Sequence, residues 1–102
     1  MKLKKIEIEN NEFKILVTQT KINFNKNSIN LLDINIGEFI KFYIDEEDNS
    51  YIYLMKTYKG IPIKFSKKEC YCNYPTMVKE FKLKGSYSIE KIDKNLFRFK
   101  IK

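Results

Sequence analysis

The sequence predicts a single, mainly β domain of the α+β class, in which two related β-α-β-β halves form a small barrel. The chain of 102 residues has room for one ordinary hydrophobic core. Its apolar residues are mainly Ile and Phe, with seven Tyr in addition, and β-branched and aromatic side chains favour strands over helices. Two stretches, residues 21–56 and 63–102, share a similar order of motifs and predict an internal pseudo-repeat.

The N-terminal residues predict a β-hairpin. Residues 4–9 alternate between apolar and charged side chains, with Ile6 and Ile8 on one face. Asn10 and Asn11 predict the turn, because Asn tolerates left-handed backbone conformations. The alternation then continues at Phe13, Ile15 and Val17.

A short strand and a short helix are predicted next. Residues 21–24 alternate and predict the strand. Asn25 or Asn27 can cap the following helix by accepting a hydrogen bond from a free backbone N–H. Ile29 and Leu32 supply the apolar face of this helix.

A second hairpin completes the first half. After a turn at Gly37, residues 38–44 and 51–56 predict two strands joined by a strongly acidic tip at 45–50. The chain then reaches a joint at residues 59–62, where Gly frees the backbone and Pro fixes φ.

The second half repeats the order of the first. Residues 63–67 are similar to residues 22–26, and Gly85 follows Gly37 at the same interval at which Asp93 follows Asp45. The second copy is longer within residues 69–84. This spacing indicates a duplication.

Residues 21–56 contain, in order, a strand, a short helix, a Leu-Asp-Ile step, a Gly-Glu corner and a hairpin with an acidic tip. The residues of this pattern are Ile22, Phe24, 32–34, Gly37, Glu38, 40–45 and 52–54. The pattern resembles the AbrB/MazE-type swapped-hairpin domain of bacterial transition-state regulators and antitoxins.

The resemblance implies an interlaced barrel of two such halves, which members of the family usually form as homodimers. Two halves in one chain imply a monomeric pseudo-dimer, with a homodimer as the alternative. Asn25 occupies a position where the family usually has Pro. Ile29 and Asn30 occupy helix positions where DNA-binding members have arginines. The resemblance therefore implies the barrel, and we expect the working surface in the second half.

Positive charge is concentrated in the second half of the chain. The net charge is +7. Residues 1–51 contain seven Lys and nine acidic residues, whereas residues 52–102 contain thirteen Lys or Arg and four acidic residues. A basic half predicts contact with phosphate or another polyanion. The alternative is compositional bias, because an A·T-rich genome encodes many Lys, Ile and Asn residues.

Basic residues that flank or alternate with apolar residues in the second half are the predicted nucleic-acid-binding residues. They are Lys64, Lys67, Lys68, Lys82, Lys84, Arg98, Lys100 and Lys102. Lysine acts as a point charge suited to phosphate, and one arginine gives little capacity for bidentate reading of guanine. We therefore expect electrostatic, salt-dependent binding with weak sequence specificity. The alternative is a solvated outer face of a half-buried sheet.

Four tyrosines are predicted to contact a partner: Tyr51, Tyr53, Tyr71 and Tyr74. On the strand at 51–56, Tyr51 and Tyr53 should lie opposite Ile52 and Leu54 and stay partly exposed. Tyrosines of this kind, with Tyr58 and Tyr87, can stack on unpaired bases. Packing on their own sheet is the alternative.

The sequence offers no catalytic or metal-binding arrangement. It contains no His, which excludes Ser-His, Cys-His and histidine-metal chemistry, and it has no phosphate-binding glycine loop. Cys70 and Cys72 are predicted to be free thiols, since a zinc site would need further ligands. The acidic tip at 45–48 lacks the ligand spacing of a calcium loop. We therefore expect no enzyme activity, no cofactor and no metal.

These observations favour a small nucleic-acid-binding protein, with a role as a transcriptional regulator. The alternative is a phage- or plasmid-type inhibitor, similar to an anti-CRISPR factor, that binds and occludes a host protein. The sequence has no apolar run long enough for a membrane span and no apolar signal-peptide region. We expect a cytoplasmic protein that does not contact membranes.

Overall fold

The computed structural model describes residues 1–3 and 12–102. The predicted first strand at 4–9 and the turn at Asn10 and Asn11 lie outside the described residues. The elements are β1 (Lys14–Val17), β2 (Lys21–Phe24), α1 (Lys26–Leu32), β3 (Phe39–Ile44), β4 (Tyr51–Thr57), β5 (Ile61–Pro62), β6 (Lys64–Phe65), β7 (Cys70–Asn73), α2 (Pro75–Phe81), β8 (Gly85–Asp93) and β9 (Leu96–Lys100). The predicted mainly β fold is confirmed, and the described residues contain two short helices.

The nine strands of the described residues form one antiparallel sheet that nearly closes into a barrel. Their order is β5-β3-β4-β9-β8-β1-β2-β7-β6. The two end strands, β5 and β6, are separated in the chain by Ile63 alone, which is 5% exposed. The Ile63 N–H donates to the Glu38 carbonyl oxygen at 3.0 Å. The chain itself therefore joins one end of the sheet to the other.

Hairpins from the first and second parts of the chain alternate around this barrel. The hairpins β1–β2 and β3–β4 come from the first part, and β6–β7 and β8–β9 come from the second. Strand β1 pairs with β8, β2 with β7, β4 with β9, and β3 with β5. The hairpins β1–β2 and β8–β9 each lie between strands of the other part, and β6–β7, at the end of the sheet, pairs with β2, so that the two parts share one core.

The two helices lie at opposite ends of the barrel. Helix α1 directly follows β2, and α2 directly follows β7. Strands β2 and β7 are antiparallel neighbours, with Ile22 opposite Cys72, so their C-terminal ends point to opposite ends.

The two helices also end in the same way. Asp33 and Lys82 follow the last turns in the left-handed conformation, each with φ 53°. The next amides donate back into the helices, from Ile34 to Ile29 at 3.1 Å and from Leu83 to Val78 at 3.0 Å. This closure satisfies carbonyl groups that the last turn would otherwise leave unpaired.

The strand before the second helix differs from the predicted alignment of 63–67 with 22–26. In the structure β7, at Cys70–Asn73, precedes α2, and residues 66–69 form an exposed turn. The alternation at 63–65 resembles that of β2, but the polar residues that follow cannot supply an apolar helix face. Helix α2 instead begins at Pro75, whose fixed φ suits the first helical position, and buries Met77 and Val78.

The barrel interior is filled by the inward faces of the strands and by the helices. The fully buried large side chains include Phe97, Phe99, Ile15, Ile22, Leu32, Ile40, Ile52, Leu54 and Leu83. Cys70 and Cys72 are buried free thiols within this core. Burial raises the pKa of Cys72 to about 12, so this thiol stays protonated at neutral pH.

Candidate nucleic-acid interface

The eight predicted cations occupy three places. The β6–β7 lysines are Lys64, Lys67 and Lys68, on β6 and in the turn before β7. The α2–β8 lysines are Lys82 and Lys84, between α2 and β8. The β9 cations are Arg98, Lys100 and Lys102, on β9 and directly after it. The first two groups lie at opposite ends of β7, so the structure does not bring all eight cations onto one face.

Two of the three groups lie at the same end of the barrel. Strands β8 and β9 are antiparallel, with Ile89 opposite Phe99. The start of β8 and the end of β9 therefore share an end, and this end holds the α2–β8 lysines together with Lys100 and Lys102. Alternation predicts which face of a strand a lysine occupies, but it does not reveal which strands are neighbours.

All seven of the predicted lysines are exposed, and none of them takes part in an ion pair within the part of the chain that the structure describes. Among residues 1–3 and 12–102, four ion pairs form, and their cations are Lys14, Lys21, Lys56 and Arg98. The acidic residues of these pairs therefore neutralise other cations. The positive charge of these lysines is therefore not neutralised by an ion pair within the described residues, and Lys100 lies near enough to Asp48 of the acidic tip to help lower the pKa of that carboxyl.

Arg98 differs from the seven lysines, because its guanidinium group is held by neighbouring side chains. Its Nε donates to Glu90 Oε1, and its Nη1 donates to the Tyr53 hydroxyl at 3.3 Å. Its Cζ also lies 4.0 Å from the centroid of the Tyr51 ring. The hydrogen bonds to Tyr53 and Glu90 raise the pKa of Arg98 above its ordinary value. Arg98 is thus a positioning residue for the tyrosines.

Tyr51 and Tyr53 lie on the outer face of β4, partly exposed, opposite the buried Ile52 and Leu54, as the alternation predicts. Their ring centroids are 6.4 Å apart. Tyr43, which is not among the four predicted contact tyrosines, pairs with Tyr53 across β3 and β4 and is 44% exposed. Its position between the apolar Phe42 and Ile44 is the sequence signal that could have predicted its outward orientation.

Tyr71 and Tyr74 do not share this surface. Tyr71 lies on the outer face of β7, with the Lys21 Nζ 4.3 Å from its ring centroid. Tyr74 precedes α2 and packs against Phe42, with ring centroids 5.8 Å apart. Strand β7 is not a neighbour of β4, so the four predicted contact tyrosines form separate features.

The acidic tip is organised by its own carboxylates. Asp45 Oδ1 accepts a hydrogen bond from the Glu47 amide at 2.9 Å, and Asp48 Oδ1 accepts one from the Ser50 amide at 3.1 Å. The hydrogen bonds from Ser50 lower the pKa of Asp48. In the described part of the chain, no cluster of three or more His, Cys, Asp or Glu residues is arranged to hold a metal ion.

The chain was compared with models of known protein families, with curated protein sequences and with solved structures, and none of them matched. Within residues 1–3 and 12–102, no helix has both the length and the apolar character that a membrane crossing requires.

Proposed function

We propose that this chain is a small, non-enzymatic nucleic-acid-binding protein that contacts phosphate through exposed lysines of its second half. The observation that carries the proposal is the set of seven exposed lysines, none of which takes part in the four ion pairs of the described residues. A polyanion offsets their mutual repulsion and releases its own counterions on binding. Because Arg98 is held by Glu90 and the tyrosines, such binding is electrostatic and weakly sequence-specific.

A swapped-hairpin architecture of the AbrB/MazE type is part of the proposal. It is supported by the alternation of hairpins from the two parts of the chain and by the resemblance of residues 21–56. One chain supplies both halves, as a monomeric pseudo-dimer in the cytoplasm with a role in transcriptional regulation. Ile29 and Asn30 stand in place of the family's helix arginines, so the phosphate contacts are assigned to the lysines instead.

The main contact surface is assigned to the barrel end that contains Lys82, Lys84, Lys100 and Lys102. The β6–β7 lysines lie at the other end of β7 and provide a natural comparison. Lys41 and Lys59 are exposed lysines outside all three groups and provide a matched control.

Three double variants test this assignment, and each removes two positive charges. They are Lys82→Gln with Lys100→Gln, Lys67→Gln with Lys68→Gln, and the control Lys41→Gln with Lys59→Gln. Affinity for a labelled duplex is measured by fluorescence anisotropy over a range of salt concentrations. Loss of two phosphate contacts should reduce the salt slope by about 1.8, at about 0.9 per contact. We expect this reduction for Lys82 with Lys100 and little change for the control.

Equal effects of all three double variants would contradict the assigned surface. Absence of nucleic-acid binding by the unchanged protein at about 50 mM salt would contradict the proposed function itself.

A second candidate function, a phage- or plasmid-type inhibitor of a host protein, is favoured by one observation. Tyr43, Tyr51, Tyr53 and Arg98 form a preorganised outer surface, and Tyr and Arg are enriched at protein-binding hot spots. A host protein that is recovered after nuclease treatment, and lost with Tyr53→Ala, would favour this candidate over nucleic-acid binding.

A further inference from the structure

The grooves between each helix and the hairpin that it faces differ in size. The α1 groove lies between α1 and the β8–β9 hairpin and has a volume of about 720 Å³. The α2 groove lies between α2 and the β3–β4 hairpin and has a volume of about 230 Å³. Each is lined by the last residues of its helix, Leu31 and Leu32 in the first and Glu80 and Phe81 in the second.

The two grooves also differ in one cross-strand pair of their hairpins. In the α2 groove, Ile44 lies opposite Ile52, so both members are apolar. In the α1 groove, Lys91 lies opposite the buried Phe97. Lys91 is two residues after the buried Ile89 and so shares the inward face of β8. A lysine therefore lines the α1 groove at a place where the α2 groove has isoleucine.

Part of the positive charge in the α1 groove is neutralised by neighbouring groups. Lys56 Nζ donates to the Asp33 carbonyl oxygen at 2.6 Å and lies 3.2 Å from Glu38 Oε2, so its charge is neutralised locally. Lys91 and Lys94 also line the groove, and neither takes part in the four ion pairs of the described residues. They are two cations outside these ion pairs on the β8–β9 side, and the Asp33 carboxylate, which also lines the groove, is outside them as well.

The rim of the α1 groove carries large side chains that are exposed to solvent. Tyr58 is 99% exposed and Ile36 is 86% exposed. An aromatic ring that makes almost no contact with its own protein is available for a flat ligand. Nucleic-acid bases stack on such rings when they are not paired within a duplex.

We propose that the α1 groove binds one unpaired nucleotide of a nucleic-acid strand, with the base on Tyr58 and the phosphate on Lys91 and Lys94. The volume of the groove lies within the range of about 300–1,000 Å³ that is usual for small-ligand sites. The inference rests on the proposed function and deepens it, because it assigns a preference for single strands to a second site at the α1 end of the barrel.

The experiment uses Tyr58→Trp, which introduces a tryptophan into a chain that has none. Titration with a short oligothymidylate should quench its fluorescence, because a stacked base quenches indole. The same variant with Lys91→Gln and Lys94→Gln should show the quenching only at much higher oligonucleotide concentration. Tyr43→Trp is the control, since this exposed position lies on the outer face of β3, and it should show no quenching.

Anisotropy with a labelled oligonucleotide follows binding independently of the tryptophan. Tyr58→Ala should weaken single-strand binding by roughly 5- to 150-fold and leave duplex binding unchanged. Single-strand binding without quenching at position 58 would overturn this inference and leave the proposed function standing. Absence of binding to every nucleic acid would overturn both. Equal quenching by free thymidine monophosphate would overturn the assignment to a strand.

Discussion

At the scale of single residues, Gly60 shows why a correct sequence signal can have an unexpected cause. The Gly and Pro at 59–62 predict a joint between the halves, and the structure has a short connection there between β4 and β5. A Cβ atom at Gly60 would lie 2.5 Å from the Ile40 carbonyl oxygen and 3.0 Å from Lys41 Cγ. Glycine is therefore required by a close approach to β3.

We expect Gly60→Ala to lower the free energy of unfolding by about 1–3 kcal/mol, because the backbone of Ile40 must move to admit the methyl group. Urea denaturation followed by circular dichroism measures the change. The neighbouring Lys59→Ala, at an exposed side chain, is the control. Equal stability of the two variants would show that the connection has room for a side chain.

Residue-scale prediction was good for strand faces and poor for contacts. Alternation correctly predicted that Tyr51 and Tyr53 face outward. It did not predict that Arg98 would be held between them and Glu90, because these residues lie on three different strands. The role of Arg98 as a positioning residue follows only from the pairing of β4, β9 and β8.

At the scale of elements, the start of α1 shows how far local chemistry determines the fold. The sequence allows Asn25 or Asn27 as the cap, and the structure has Asn25. Its Oδ1 accepts a hydrogen bond from the Ser28 amide at 2.8 Å, and its Nδ2 donates to the Glu12 carbonyl oxygen at 2.9 Å. The cap thus stabilises α1 and attaches it to the segment before β1.

Asn25→Ala should lower the free energy of unfolding by about 1 kcal/mol, since it removes the acceptor for the Ser28 amide. Asn25→Asp keeps that acceptor and should recover much of the loss. Thermal and urea unfolding of the two variants measure the difference. Similar losses for Ala and Asp would indicate that the bond to Glu12 dominates.

The types of the elements were easier to predict than the correspondence between the elements of the two halves of the chain. Strong alternation and caps indicate β2, α1, β3 and β4 from the sequence alone. The alignment of 63–67 with 22–26 differed from the structure because a two-residue strand and a polar turn resemble a longer strand. Pro75 and the apolar residues after it were the better signal for the second helix.

At the scale of the whole molecule, the strand order of the barrel determines which basic residues lie at the same end and can contact one ligand. The sequence identifies the basic half, but the strand order separates its lysines between the two ends of β7. Lys82, Lys84, Lys100 and Lys102 share an end because β8 and β9 are neighbours. Long-range pairing of this kind depends on the packing of the whole chain and leaves no local pattern in the sequence.

The salt dependence of binding by the unchanged protein tests the central claim most directly. The affinity for a labelled duplex is measured from about 50 mM to about 200 mM salt, and the logarithm of the binding constant is plotted against the logarithm of the salt concentration. Contacts from four lysines predict a slope of about −3.6, at about −0.9 for each phosphate. No binding at the lowest salt, or a slope near zero, would contradict the claim that exposed lysines bind phosphate.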